Sequence, residues 1–399
     1  MSYQVIYDLF MLKKKIAFLA ISSLFLSVPL VPANAAVKAG SACKKAGITS
    51  TASSKTYTCI KSGRKLVWDK GKQSASASNA AGADEKLLYA GIKYPVATKG
   101  WLTSIPLPTQ EDSFRSYSIY VPSTWQTNVA SPLLIALHGL SGWDLQLMDN
   151  TGFNNLAEAN NFIVVYPNGT GEKLGDRGVR SWNGGKVGWC TSGNCPPSQI
   201  SKIDDVGYIG KLIDDVSNRY LIDSKRVYLT GHSNGSQLAQ RVACQLSNRI
   251  TAVAVVAGHL ALDACNPDSA VSLLQIYGTE DTLNPENGGT AKISFGIYSY
   301  AFNSEPVMKS VQKMAAANGC SANYTENNNF LNKDLTIYTW PGCKSGVVVS
   351  SMKILGASHA WMGHPAQSAD SVKLSGEPYM KVDASKVIWA FLANKVKNS

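Results

Sequence analysis

The sequence predicts an α/β fold with a mostly parallel central sheet and helices on both of its faces. Continuous apolar runs, such as residues 132–137 and 162–166, alternate with segments in which apolar residues recur at helical spacing, such as residues 205–220. Strands that are buried on both faces give continuous apolar runs, and parallel strands need crossover connections between them. Right-handed crossovers bring the carboxyl ends of the strands to one edge of the sheet, where functional sites are built.

The remaining elements follow from the same two patterns. Short apolar runs bounded by glycine or polar residues predict strands, and amphipathic segments predict helices. The predicted strands are 132–137, 162–166, 226–230, 251–257, 271–277, 335–338 and 347–354. The predicted helices are 205–220, 234–246, 305–317 and 384–395.

Composition favours a packed protein whose basic character lies near the N-terminus. Of the 399 residues, 45% are hydrophobic and 16% are charged, which favours a globular core over disorder. The net charge is +11, but residues 36–83 hold nine basic residues and one acidic residue, whereas residues 84–399 hold 26 and 25. An enzyme that acts on nucleic acid is expected to carry positive charge where it carries its chemistry. We therefore expect no nucleic-acid partner.

Residues 1–35 are predicted to contain a signal peptide, and Met11 is predicted to be the true start of the protein. Three lysines at 13–15 precede an apolar run over 16–31, and Ala33-Asn34-Ala35 gives a small-x-small cleavage site. A retained membrane anchor is the alternative, but the run is short for a span and is interrupted by serines and Pro29. We expect a secreted protein without a stable membrane span.

Two further segments precede the large domain, which is predicted over 84–399. Residues 36–70 are predicted to form a small basic module that contains Cys43 and Cys59. We expect one disulfide to close a hairpin-like unit, because so small a core needs a covalent link to be stable. Residues 71–83 are rich in Ser, Ala, Asn and Gln and predict a flexible linker. The basic module is a candidate for binding an anionic cell-wall polymer, and a solvated spacer is the alternative.

Eight cysteines in an exported chain predict disulfides. Unpaired buried thiols are the alternative. Pairing each cysteine with its nearest available partner gives Cys43–Cys59, Cys190–Cys195, Cys244–Cys265 and Cys320–Cys343.

A nucleophile elbow is the strongest chemical signal in the chain. Gly231-His232-Ser233-Asn234-Gly235 follows the predicted strand 226–230 and opens the predicted helix 234–246. That strand–turn–helix context is what a G-x-S-x-G elbow requires, since the glycines permit a sharp turn that exposes the serine hydroxyl. It predicts an α/β-hydrolase with Ser233 as the nucleophile; a chance match is the alternative.

The base and the orienting acid follow from the chain order Ser, Asp or Glu, His that this fold uses. His359 lies just past the strand 347–354, and Asp281 follows the strand 271–277. The rivals are His364 for the base and Glu280 for the acid. His259 comes too early in the chain to be the base, but is a candidate to line the substrate pocket.

The remaining site candidates surround this triad. The backbone N–H groups of Leu140 and Asn234 are the predicted oxyanion donors, and His138 is expected to be a structural turn residue. Trp182 and Trp361 are candidates, with His259, for substrate binding, although a packed loop aromatic is the alternative for Trp182. Asp204 and Asp205 are expected to cap a helix. No metal-binding or phosphate-binding pattern occurs in the sequence, so no cofactor or metal is expected.

Six motifs occur in a fixed order: LIALHGL, SWNGG, DDVGYIGKLID, RVYLTGHSNGSQLA, IYGTEDTLNP and GASHAWMG. Together they resemble the secreted polyhydroxybutyrate depolymerase and feruloyl esterase family, from about Tyr117 to the C-terminus. The resemblance implies an α/β-hydrolase fold, carboxylic-ester hydrolysis, export and no cofactor. Carried over by motif, it implies Ser233 as nucleophile, Asp281 as acid and His359 as base. The loop that usually carries adjacent cysteines reads GWCTSGNC here, so the resemblance does not determine the shape of the substrate wall.

These features predict a secreted serine esterase that forms an acyl-enzyme intermediate. The candidate substrates are polyhydroxyalkanoate-type esters and feruloyl or acetyl esters of polysaccharide. One alternative is a serine peptidase of the same fold, although such peptidases usually carry an extra propeller or lid domain for which the chain has no room. The other is a non-catalytic cell-envelope binding protein.

Overall fold

The structure is a computed structural model of the 399-residue chain. It describes residues 40–43, 45–46, 49–52, 55–70, 72–73, 86–89, 92–95, 98–171, 179–185, 195–196, 203–295, 298–328, 330 and 332–397. The predicted signal peptide and most of the predicted linker lie outside these residues. Within the described part of the chain, no helix is long and apolar enough to cross a membrane.

The chain falls into two compact units, which divide between Asp84 and Glu85. The first unit contains four antiparallel strands: β1 (Thr49–Ala52), β2 (Lys55–Ser62), β3 (Lys65–Trp68) and β4 (Lys72–Gln73). Strand β2 pairs with each of the other three. A disulfide joins Cys43 to Cys59, which is buried beside Tyr57. The bond joins the cysteine pair that the sequence predicts and closes a segment that contains the hairpin β1–β2.

The second unit holds the remaining elements. Its strands are β5 (Lys86–Tyr89), β6 (Ile92–Pro95), β7 (Gly100–Pro106), β8 (Ser116–Val121), β9 (Ser131–Leu137), β10 (Ile163–Pro167), β11 (Thr170–Gly171), β12 (Arg180–Ser181), β13 (Ile222–His232), β14 (Ala252–Val256), β15 (Ser272–Gly278), β16 (Gly289–Phe295), β17 (Tyr298–Ser304), β18 (Thr325–Asn327), β19 (Leu335–Trp340) and β20 (Val349–Ile354). Its helices are α1 (Asp144–Thr151), α2 (Phe153–Asn160), α3 (Asp205–Arg219), α4 (Asn234–Gln245), α5 (Val307–Ala317), α6 (Ala369–Ser375) and α7 (Ala384–Leu392).

Ten of these strands form the central sheet, in the order β18-β19-β20-β15-β14-β13-β9-β10-β8-β7. The six inner strands from β20 to β10 run parallel to one another. Antiparallel strands close the sheet at each edge. The predicted α/β fold with a mostly parallel sheet is therefore confirmed.

Each face of the sheet carries its own apolar core. Along β9, Leu133, Ile135 and Leu137 pack with helices α3, α4 and α5, whereas Leu134 and Ala136 pack on the opposite face with α1, α2 and α7. All five side chains are fully buried. Successive side chains of a strand point to opposite faces, so a strand covered on both faces needs apolar residues at every position. This explains why residues 132–137 form an unbroken apolar run in the sequence.

Two disulfides tie helices of the second unit to neighbouring loops. Cys244 in α4 bonds to Cys265 in the segment after β14, and Cys320 after α5 bonds to Cys343 after β19. Both pairs are those that the sequence predicts. Cys195 is also disulfide-bonded, but its predicted partner Cys190 lies outside the described residues.

Candidate active site

Ser233 occupies the turn between β13 and α4, at the carboxyl edge of the parallel strands. Its backbone has φ 54° and ψ −117°, a conformation in the positive-φ region that side-chain-bearing residues rarely adopt. The N–H of Ser233 donates to the carbonyl of Val256 at 2.9 Å, which anchors the turn to the neighbouring strand β14. Backbone strain of this kind is held by surrounding structure and is concentrated at functional sites.

The two elbow glycines are required because backbones approach closely on both sides of the turn. A Cβ on Gly231 would lie 2.4 Å from the backbone of Gly235, and a Cβ on Gly235 would lie 2.4 Å from the carbonyl oxygen of Leu137. Neither contact leaves room for a methyl group. The G-x-S-x-G pattern is therefore a packing requirement of this turn.

His359 and Asp281 form a buried pair beside this turn. Nδ1 of His359 lies 2.8 Å from Oδ2 and 2.9 Å from Oδ1 of Asp281, and both side chains are almost fully buried. Because a carboxylate only accepts, Nδ1 carries the proton and Nε2 is left as the basic nitrogen of the neutral ring. The two residues follow β15 and β20, which are adjacent parallel strands, so the sheet brings their loops together.

The environment of Asp281 favours its charged form. Burial opposes ionisation, but the His359 ring and the backbone N–H groups of Leu283 and Asn284, which donate to Oδ1 at 2.9 and 2.7 Å, outweigh it. The pKa of the Asp281 carboxyl therefore lies below its usual value. A carboxylate held in this way fixes the tautomer of the imidazole and stabilises an imidazolium.

Ser233 and His359 line one cavity of about 120 Å³, which we call the larger cavity. Among the described residues, no hydrogen bond joins the Ser233 hydroxyl to the His359 ring. His232, next to the serine, instead contacts the loop of His359: its Nε2 lies 2.7 Å from the His359 carbonyl oxygen, and the two rings are 5.0 Å apart. Burial, followed by the nearby His359, lowers the pKa of His232 to about 4, so its neutral ring donates this bond through Nε2–H.

Leu140 and Asn234, the predicted oxyanion donors, both lie at a cavity that Ser233 also lines. The N–H of Asn234 belongs to the first turn of α4, whose amides have no partner within the helix. Nδ1 of His138 donates to the carbonyl oxygen of Gly139 at 2.7 Å, and the N–H of Gly142 donates to the same oxygen at 3.0 Å. In a trans peptide the N–H points opposite to the carbonyl, so these bonds fix the direction of the Leu140 N–H.

His138 itself is the structural residue that the sequence predicts. It is 1% exposed, and its Nε2 accepts the N–H of Gly169 at 2.9 Å. Burial lowers its pKa to about 3, which keeps the ring neutral. With Nδ1 donating and Nε2 accepting, both ring nitrogens are already used.

Ser233 also lines a second cavity of about 40 Å³, which shares Leu140, Leu283 and Ile293 with the larger cavity and which we call the smaller cavity. Asn234, His259 and Asn284 line it, whereas His359 lines only the larger cavity. His259 therefore lines a cavity together with Ser233, and its role in substrate binding stays a prediction. Trp361 lines the larger cavity and donates its Nε1–H to Ser385 at 3.0 Å.

Trp182 does not lie at either cavity, so its predicted place in the substrate wall is wrong. Its side chain is completely buried and donates Nε1–H to the His138 carbonyl at 2.9 Å. The backbone N–H and carbonyl of Trp182 bond to the Asn234 side-chain amide at 2.7 and 3.0 Å. Trp182 is therefore a packed loop aromatic that connects its loop to the turn at Ser233.

Asp205 also has a role that differs from the prediction. Asp204 caps α3 by accepting the Gly207 N–H, whereas Asp205 is completely buried and forms an ion pair with Arg115 at 2.7 Å. Its other oxygen accepts the Asn183 N–H at 2.6 Å, which fixes the loop that carries Trp182. Two adjacent aspartates before a helix look alike in sequence, and only the position of Arg115, 90 residues earlier, separates their roles.

The structure also distinguishes Asp281 and His359 from the alternative acid, Glu280, and the alternative base, His364. Glu280 is exposed, whereas Asp281 is buried against the His359 ring. His364 also lines the larger cavity, but its nearest carboxylate is Asp383, at 3.6 Å from Nε2. Among the described residues, no group of three or more His, Cys, Asp and Glu side chains is placed to hold a metal ion.

Comparison with known proteins identifies the family to which the sequence is similar. The family model described as "Esterase PHB depolymerase" matches residues 115–331, a range that includes Ser233 and Asp281 and ends before His359. A bifunctional acetylxylan esterase/xylanase of Neocallimastix patriciarum is 27% identical over 65% of this chain and 32% of its own length. Feruloyl esterase B of Piromyces equi is 27% identical over 62% of this chain and 42% of its own length. The chain thus spans less than half of the length of these two relatives.

Among solved structures, an acetyl xylan esterase from Aspergillus awamori is 15% identical to this chain. The match covers 65% of this chain and 93% of the esterase, with a TM-score of 0.43.

Proposed function

Because the chain belongs to the esterase PHB depolymerase family, we propose that it hydrolyses carboxylic esters with Ser233 as nucleophile, His359 as base and Asp281 as the acid that orients the base. The observation that carries the proposal is the buried bond of 2.8 Å between His359 and Asp281, at the cavity that Ser233 lines. A serine hydroxyl is a weak nucleophile until a base takes its proton. The Asp281 carboxylate leaves Nε2 of His359 free to do this.

In the first step, Nε2 of His359 takes the Ser233 proton as the serine oxygen attacks the ester carbonyl. The tetrahedral intermediate carries its negative charge on an oxygen that the N–H groups of Leu140 and Asn234 bind. His359 then gives the proton to the alcohol oxygen, and the alcohol leaves. The acyl group remains bonded to Ser233.

In the second step, water replaces the alcohol. His359 takes a proton from water, whose oxygen attacks the acyl carbonyl, and the same two N–H groups bind the second oxyanion. The proton returns to Ser233 as the carboxylic acid leaves, which restores the enzyme.

The substrate class within the family is a separate question. The two relatives are named for esters of acetate on xylan and of ferulate. We propose polyhydroxyalkanoate-type esters and feruloyl or acetyl esters of polysaccharide as the candidates. Comparing kcat/KM for methyl ferulate, acetylated xylan and hydroxybutyrate oligomers ranks them, and the Ser233→Ala variant is the control for background hydrolysis. Turnover of none of the three would contradict the proposal.

A serine peptidase of the same fold would use the same three side chains. The family membership favours esters over peptides. Hydrolysis of a peptide anilide at a rate comparable to that of p-nitrophenyl acetate would reverse this preference. A non-catalytic envelope protein is the other alternative, and it would show no turnover of either compound.

We also propose that the protein is exported and that its N-terminal module binds anionic cell-wall polymer. Three of the basic side chains around the β2–β3 turn, Lys61, Arg64 and Lys65, are exposed. Such a cluster binds polyanions through charge, and salt weakens the attraction. Deletion of residues 38–70 should abolish salt-sensitive binding to purified cell walls and leave ester hydrolysis intact. Equal binding by the deletion variant would remove this role.

A further inference from the structure

The turn that carries Asp281 is connected to the segments that follow both neighbouring strands. It follows β15, which lies between β20 and β14 in the sheet and runs parallel to both. His359 follows β20 and bonds to the Asp281 carboxyl group. His259 follows β14 and bonds to Asn284, the last residue of the same turn. The position of Asp281 therefore depends on a contact from each side.

The turn itself is closed by the side chain of Asp281. Its Oδ1 accepts the N–H of Leu283 at 2.9 Å and the N–H of Asn284 at 2.7 Å. An aspartate commonly closes a turn in this way, by bonding to backbone groups that follow it. The same oxygen lies 2.9 Å from Nδ1 of His359. A displacement of Asn284 would therefore change how the carboxylate faces the imidazole.

His259 restrains the residue that ends this turn. Its Nδ1 lies 2.7 Å from Oδ1 of Asn284, 25 residues later in the chain, and both residues are 4% exposed. Burial lowers the pKa of His259, so its ring is neutral. The ring donates through Nδ1–H, because a carbonyl oxygen only accepts. A hydrogen bond that is shielded from water is electrostatically stronger than an exposed one.

We propose that His259 is a positioning residue for the proposed triad and that it acts on Asp281 through Asn284. The His259 ring holds the Asn284 side chain, and the backbone N–H of Asn284 holds the Asp281 carboxylate. The carboxylate in turn accepts Nδ1–H of His359. This inference rests on the proposed function, since it requires that Asp281 orients the base. In this role His259 touches neither the substrate nor the reacting atoms.

Loss of the His259 bond should cost much less than loss of the Asp281 charge, which costs about 10⁴-fold in kcat. In His259→Leu the carboxylate remains and only its direction relaxes, so we expect kcat to fall by about tenfold. Both steps of ester hydrolysis use His359, so p-nitrophenyl acetate and p-nitrophenyl butyrate should lose the same factor. KM should stay near its wild-type value for both esters. His259→Asn keeps an N–H donor at the position of Nδ1 and should restore most of the rate.

Two buried asparagines at opposite ends of β15 provide a matched comparison. Asn284 follows the carboxyl end of the strand, whereas Oδ1 of Asn318 accepts the N–H of Val271, directly before its start, at 2.8 Å. Asn284→Ala removes the acceptor of His259 and should lower kcat as His259→Leu does. Asn318→Ala also removes a buried bond but should keep the wild-type kcat. Combining His259→Leu with Asn284→Ala should cost no more than either change alone, because both remove the same bond.

The end point of fluorophosphonate labelling gives the concentration of active sites, so kcat is not affected by partial unfolding. A wild-type kcat in His259→Leu, or equal losses in Asn284→Ala and Asn318→Ala, would overturn this inference. A changed KM, with losses that differ between the two esters, would also overturn it and make His259 a substrate contact. Each of these results leaves the proposed function intact. A wild-type kcat in Asp281→Asn would overturn both.

Discussion

His232 donates a hydrogen bond of 2.7 Å from Nε2 to the backbone carbonyl of His359, across 127 residues of sequence. The bond connects the residue before the proposed nucleophile to the loop of the proposed base. It fixes the distance between two strand ends, those of β13 and β20, which are not neighbours in the sheet. His232 is therefore a positioning residue for the pair Ser233 and His359.

Loss of this bond should have a larger effect on kcat than on the free energy of unfolding. In His232→Leu the His359 loop loses its anchor, and we expect kcat on p-nitrophenyl acetate to fall by about 10- to 100-fold, because small misplacements of catalytic groups are costly. His232→Gln keeps an N–H donor at a similar reach and should restore most of the rate. Equal kcat values for the Leu variant and the wild type would contradict this role.

The charge of Asp281 should be essential, whereas that of its neighbour should not. Asp281→Asn keeps the shape but presents an amide to His359 and favours the wrong tautomer, so we expect kcat to fall by about 10⁴-fold. Glu280→Gln changes an exposed carboxylate one residue away and should stay near the wild-type kcat. Steady-state assays on p-nitrophenyl acetate decide the matter, and the reverse ranking would transfer the role to Glu280.

Acid should destabilise the fold through His138. Its pKa is about 3 in the folded protein, against 6.5 for an ordinary histidine, because burial disfavours the charged ring. Below pH 6.5 the unfolded chain takes up a proton that the folded chain does not, so the free energy of unfolding falls as the pH falls toward 3. From pH 7.5 to pH 5 we expect a loss of about 2 kcal/mol from this residue.

Urea unfolding at these two pH values, for the wild type and His138→Asn, measures that loss. The asparagine does not titrate in this range, so its loss of stability between the two pH values should be smaller by about 2 kcal/mol. Any constant effect of the substitution cancels in the difference. Equal losses in the two proteins would show that His138 binds a proton in the folded state.

Two glycine substitutions should have opposite effects on stability. Gly235→Ala places a methyl group 2.4 Å from the Leu137 carbonyl oxygen and should destabilise the protein by about 3 kcal/mol or more. Gly210 lies within α3, where a methyl group would meet only Leu246 at 3.8 Å, so Gly210→Ala should stabilise by about 0.4–1 kcal/mol. Thermal melts compare both variants with the wild type, and a stable Gly235→Ala protein would contradict the packing at the elbow.

The sequence predicts the inner strands well and the edges poorly, for a physical reason. Strands such as β9 and β14 are covered on both faces, so burial demands apolar residues throughout. Strand β8 (SYSIYV) has buried serine and tyrosine among its apolar residues and shows no such run. Helix α5 begins at Val307 rather than 305, because Pro306 disfavours a helical conformation in the residue before it.

The same contrast applies to the site. The predicted roles of Ser233, Asp281 and His359 depend on chain order and on strand ends that meet at one edge, which are signals that the sequence carries. The bond from His232 to His359 and the burial of Trp182 depend on which loops meet in three dimensions. An aromatic residue in a long loop has the same local signal whether it faces a substrate or the core.

Labelling with a fluorophosphonate tests the central claim most directly, because this reagent reacts with a serine only when a base has activated it. The wild type should gain one label per chain, mapped to the peptide that contains Ser233. Ser233→Ala should gain none, and His359→Gln should react far more slowly. A label on another residue, or ester hydrolysis that persists in an unlabelled Ser233→Ala protein, would contradict the proposed catalytic role of Ser233.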